Sequence, residues 1–96
     1  MNAVAELRFL VNELTDAKSA LDPDKFPMFH RDRVLLETTL KDNKMYVLRW
    51  IAYHQSAMPL LEAREAAKLL AKHYPTEAAI WLTNQITLNQ KQELAR

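Results

Sequence analysis

A chain of 96 residues, 49% hydrophobic and 26% charged, is long enough for one hydrophobic core and too short for two ordinary domains, so a single domain over 1–96 is expected. Glycine and cysteine counts of 0 exclude glycine-rich phosphate loops, nucleophile elbows, disulfides, thiolate metal sites and cysteine nucleophiles. A formal net charge of +1 provides no overall field that would draw the chain to nucleic acid or an anionic membrane.

The opening residues, Met1 to Val11, carry Glu6 and Arg8 where a secretory signal needs an unbroken apolar core. No later stretch approaches the roughly 20 apolar residues of a membrane span. A soluble, cytoplasmic protein with no membrane partner is the expectation. From Asn2 to Leu21, the residues Val4, Leu7, Val11, Leu14 and Leu21 follow the spacing of an amphipathic helix, interrupted only where Lys18 takes a seam position. Pro23, Pro27, Pro59 and Pro75 divide the chain into helix-sized pieces, because proline lacks a backbone donor and biases the residue before it away from helical angles. In the first connection, Phe26, Met28 and Phe29 are apolar enough to plug one end of the core.

The segment from His30 to about Ser56 admits two readings. As a helix it places Leu36, Leu40, Val47 and Ile51 on one face and pairs Glu37 with Lys41 one turn apart. As a hairpin, Val34, Leu36, Thr38 and Leu40 alternate, Lys41 to Lys44 is turn-like, and Met45 to Tyr53 suits a strand, giving an α+β fold with a hairpin at about 33–54. Asn43 falls on the apolar face of the helix and speaks against it. A glycine-free two-stranded ribbon is nevertheless a poor hairpin and marginal alone, so the helix is favoured, whole or broken near Asp42 and Asn43.

A third helix is expected from about Ala57 to His73, with Ser56 as N-cap, Pro59 in its first turn, and Leu60, Ala63, Ala67, Leu70 and Tyr74 inward. A fourth follows Pro75, capped by Thr76, with Glu77 set against the helix dipole and Ala78, Ala79, Trp81, Leu82, Ile86 and Leu88 inward. Its polar end, with Asn84, Gln85, Asn89, Gln90 and Gln92, reads as solvated helix fraying into a tail. The run from Pro75 through Ala78 to Trp81 resembles the start of a tetratricopeptide-type hairpin over those residues only. Since the chain has no period of about 34 residues, it is read as a generic helix-hairpin junction. Short connections make neighbours antiparallel, and the fold class expected is all-α, a compact bundle of about four helices.

If the second segment is helical, it carries a second apolar face made by Tyr46, Trp50 and Tyr53, with Arg49 and His54 adjoining. Such a segment is either the buried centre of the bundle or an interface, since aromatics and arginine dominate binding hot spots. Tyr46, Arg49, Trp50, Tyr53 and His54 are therefore the candidate partner-binding residues. Arg49 and His54 also stand at an Arg-x4-His spacing that resembles small helical ribonucleases of the HEPN class, which would imply RNA cleavage by that pair; Trp50 stands where the class has a polar residue.

Arg64, Lys68 and Lys72 recur once per turn on the third helix and, with Arg31 and Arg33, are the candidate nucleic-acid-binding residues. Glu62 and Glu65 offset that stripe, which is thin beside the roughly six to ten phosphate contacts of typical duplex binders. His30, His54 and His73 lack metal-ligand spacing, Ser19 and Ser56 sit where helices are capped, and no carboxylate pair has an apolar setting. No metal, cofactor or catalytic residue is expected. The function expected is a non-enzymatic protein-binding module, such as an adaptor, a small assembly subunit or a phage- or plasmid-type inhibitor, with a homodimer through the first helix as one arrangement. The alternatives are a small nucleic-acid-associated subunit and, more remotely, a HEPN-like ribonuclease.

Overall fold

The computed structural model describes residues 2–21 and 30–95, which form α1 (Ala3–Ala20), α2 (His30–Tyr53), α3 (Leu60–Ala71) and α4 (Pro75–Leu94), with no strand among the described residues. The chain is an all-α bundle. Asn2 starts α1 as an extended N-cap whose Oδ1 accepts the Ala5 N–H at 2.8 Å, and Glu6 in the first turn and Lys18 in the last suit the helix dipole. Val4, Leu7, Val11 and Leu14 are buried as their spacing predicts. Ala17, not Leu21, continues the stripe, because the helix ends at Ala20 and Leu21 is its half-buried C-cap.

The second segment is one continuous helix, so neither the hairpin nor a break near Asp42 and Asn43 forms. Asn43 is accommodated instead of breaking it: the side chain turns into the α1 interface, and Nδ2 donates to Glu13 Oε2 at 3.3 Å. Thr38 and Thr39, which favour a strand locally, return their hydroxyls to the Val34 and Leu35 carbonyls, each at 3.1 Å. Arg33 reaches back to the Leu21 carbonyl at 3.3 Å, satisfying an acceptor left open at the C-terminal end of α1.

Both expected caps of the later helices are corrected. Ser56 does not cap α3, which begins only at Leu60 with extended Pro59 (φ −49°, ψ 133°) before it. The reason lies in α4: Gln85 Nε2 takes the Ser56 carbonyl at 2.9 Å, its Oε1 accepts the Met58 N–H at 2.8 Å, and Asn89 Nδ2 takes the Met58 carbonyl at 2.9 Å, holding 54–59 as an extended strap. Thr76 lies inside α4, whose first residue is Pro75, where a missing N–H costs nothing. The polar end of α4 is solvated at Asn84, Gln90 and Gln92, but it does not fray, since the helix runs to Leu94 with Gln85 buried and Asn89 half-buried.

α1 packs against α2 on one side and α3 on the other, and α3 packs against α4. Ala63, Ala66 and Ala67 give α3 a small-residue face against these neighbours, and Leu69 and Leu70 fill out the core with Val47, Trp50 and Trp81. The bundle is elongated, 59 × 22 × 20 Å. The expected plug of Phe26, Met28 and Phe29 lies outside the described residues. Among those described, no helix is long and apolar enough to cross a membrane.

Candidate partner-binding groove

The aromatic face of α2 does not act as a unit. Trp50 is 3% exposed, its Nε1 donates to the Ala3 carbonyl at 2.9 Å, and its ring lies 5.4 Å from that of Trp81. At roughly 100° per residue, Tyr46 and Tyr53 sit about 40° and 60° around the helix from Trp50, enough to carry them out of the core. They are 50% and 82% exposed. The core therefore takes the indole and leaves both phenols outside, so of the two readings open for this face Trp50 takes the buried one.

All five candidate residues nevertheless meet at one place. Tyr46, Arg49, Trp50, Tyr53 and His54 line a groove of about 400 Å³, whose other wall is Glu6 and Leu10 of α1. The Arg49 guanidinium lies over the Tyr46 ring, 5.9 Å from its centre, within cation–π range. The His54 ring lies 4.5 Å from the Trp50 ring, and the His54 carbonyl accepts Trp81 Nε1 at 2.7 Å. The groove thus has a fixed indole–imidazole floor, a rim of two exposed phenols and an arginine, and one carboxylate opposite. Glu6 and Leu10 were missed by sequence reasoning; their only signal is their place beside the buried stripe of α1.

Exposed apolar side chains are concentrated on the helix that carries the groove. Of the ten large hydrophobic side chains exposed among the described residues, six are on α2: Val34, Leu35, Met45, Tyr46, Leu48 and Tyr53. The cause is topological, because α2 packs chiefly on α1 and its remaining circumference faces outward.

The basic candidates are dispersed by comparison. Arg64 and Lys68 line a groove of about 500 Å³ between α3 and α4, beside Ala67, Ala71, Ala78 and Leu82. Lys72 is the C-cap of α3, Arg31 is exposed at the start of α2, and Arg33 is engaged with the Leu21 carbonyl. Glu65 pairs with Arg8 of α1, an exposed pair worth little to stability.

His73, an isolated histidine in the sequence, has fixed partners in the structure. Thr15 Oγ1 donates to the Val11 carbonyl at 2.9 Å, so His73 Nε2, 2.8 Å from that hydroxyl oxygen, is the donor to it, and Nδ1 accepts from Lys18 Nζ at 3.1 Å. That arrangement requires neutral imidazole. Burial first, then the Lys18 and Lys72 charges, hold its pKa below the usual 6.5. Burial and Glu77 push the Tyr74 hydroxyl above its usual 10. Comparison of the chain with family models, with characterised proteins and with solved structures gives no match.

Proposed function

We propose that the chain is a non-enzymatic protein-binding module whose partner docks on the outward side of α2, over Tyr46, Arg49 and Tyr53 and into the groove floored by Trp50 and His54. The observation that carries this reading is that six of the ten exposed large hydrophobics among the described residues lie on α2, which packs chiefly on α1. Exposed large apolar side chains on one element mark an interaction site, and tyrosine and arginine are among the residues that dominate binding energy. Arg49 and Glu6 put opposite charges on facing walls, which sets the orientation of a partner segment carrying the complementary pair.

The test is affinity capture of the tagged chain from host extract, with and without nuclease, comparing wild type with Tyr46→Ala/Tyr53→Ala. Both side chains are exposed, so the double variant is expected to keep its helical content while each truncation weakens capture about 5- to 30-fold, or about 1–2 kcal/mol. Trp50→Ala is the wrong probe, because emptying that buried site costs about 3–5 kcal/mol of folding stability. Undiminished capture by the double variant would remove this reading. Capture that disappears with nuclease would transfer the function to Arg64, Lys68 and Lys72, and a doubled mass without any other protein would make the partner a second copy.

A further inference from the structure

A separate recess of about 330 Å³ lies where α1, the middle of α2 and the corner between α3 and α4 meet. Lys18 enters it from α1, Lys41 and Lys44 from α2, and His73 and Tyr74 from the corner. Leu14 and Leu40 supply apolar wall. No carboxylate among the described residues lines it, although the chain as a whole carries 12 acidic against 13 basic side chains.

We propose that this recess binds a phosphate group, free or as a small phosphomonoester. Three ammonium groups brought to one recess repel one another, and an anion between them relieves that repulsion. A phosphate dianion answers both the charge and the donors, because lysine holds phosphate as a compact point charge and each phosphate oxygen accepts more than one hydrogen bond. Lys18 Nζ uses one N–H on His73 Nδ1 and keeps two. Tyr74 retains its phenolic proton and offers a neutral donor. The volume is at the small end of ligand pockets, which run from roughly 300 to 1,000 Å³, and suits a phosphate on a short organic stem.

His73 reports occupancy. It faces Thr15 and Lys18 of α1 and shares the recess with Lys41 and Lys44 of α2; Lys72 precedes it in the chain, and Tyr74 and Glu77 follow at the start of α4. Burial and the Lys18 and Lys72 charges disfavour the imidazolium. A bound phosphate reverses part of that field, so His73 takes up a proton more readily when the recess is filled, and by linkage a protonated His73 holds a given phosphate species more tightly.

The experiment follows the His73 imidazole signals by NMR through a pH titration in sodium chloride, inorganic phosphate or methyl phosphate at matched ionic strength. Both phosphates are expected to raise the His73 pKa by about half a unit or more over chloride, saturably. A larger shift with methyl phosphate marks an esterified ligand, and equal shifts mark the phosphate group alone. Lys41→Gln/Lys44→Gln changes two exposed side chains and is expected to keep the helices and abolish the shift. A His73 pKa that is the same in phosphate as in chloride, or an undiminished shift in the double variant, overturns the proposal. Neither result bears on the α2 groove, which shares no residue with this recess.

Discussion

Gln85 and Asn43 are both buried amides, 1% and 6% exposed, and they illustrate opposite outcomes of the same chemistry. Gln85 uses its carboxamide fully: Oε1 takes the Met58 N–H at 2.8 Å, and Nε2 is shared between the Ser56 and His54 carbonyls at 2.9 and 3.4 Å. Asn43 donates to Glu13 but leaves Oδ1 without a partner, which costs stability in a buried setting. Gln85→Leu keeps the volume and orphans a buried donor and acceptor of the 54–59 strap. We expect it to lower the denaturant-unfolding free energy by about 2–4 kcal/mol. A loss below about 0.5 kcal/mol would mean that water replaces the amide and that the strap does not depend on it. His54 sits at the head of that strap, so the groove is shaped in part by a residue on a helix that does not line it.

At the scale of elements, α2 is the anomaly. Its 24 residues exceed the 18 of α1, by about 9 Å at 1.5 Å per residue. Its buried residues, Asn43, Val47 and Trp50, all lie in the C-terminal half, and none of residues 31–42 is buried. Local unfolding is cheapest where few apolar contacts must open. Backbone amides of 34–41 are therefore expected to exchange at least about tenfold faster than those of 47–53, and to slow when a partner covers the helix. Uniform protection along free α2 would contradict this.

The same helix shows what the sequence could and could not convey. Val4, Leu7, Val11 and Leu14 were legible because a regular stripe has one solution. The α2 segment was ambiguous because Leu36 and Leu40 satisfy both periods and Asn43 looked like an intruder. Only the position of Glu13, thirty residues away, shows that the asparagine can be buried. The groove residues were legible as a set, but the assignment of rings was not: the offset separating Trp50 from Tyr46 and Tyr53 is smaller than the width of a helix face, and the position of Trp81 decides it. Asn84, Gln90 and Gln92 are solvated as their polarity implies, but Gln85 and Asn89 were misread, since a run of Asn and Gln does not say that strap carbonyls wait for two of those amides.

Taken as a whole, the molecule exposes 6893 Å², about 1,200 Å² more than the roughly 5,700 Å² of an average monomer of 11.2 kDa. One side of an ordinary protein–protein interface covers about 800 Å², so the excess is larger than one such patch. The excess follows from architecture: α1 is shared between α2 and the α3–α4 pair, and the two flanks are joined by few polar contacts. Trp81 on the His54 carbonyl ties α4 to the end of α2, and Arg8 with Glu65 is an exposed pair. The His73 network, binding the end of α3 to Thr15 and Lys18, is the joint that pH can reach. Because the folded chain holds His73 below 6.5, the unfolded chain binds that proton more readily. The joint's contribution is then fully present above about pH 6.5 and declines as pH falls toward the folded-state value. Melting temperatures of wild type are expected to fall between about pH 7.5 and pH 5 more steeply than those of His73→Gln, which has no charge to acquire. The comparison between the two chains cancels the other histidines and the carboxylates, which both retain. Superimposable profiles would show that protonation of His73 leaves the attachment of α3 to α1 intact.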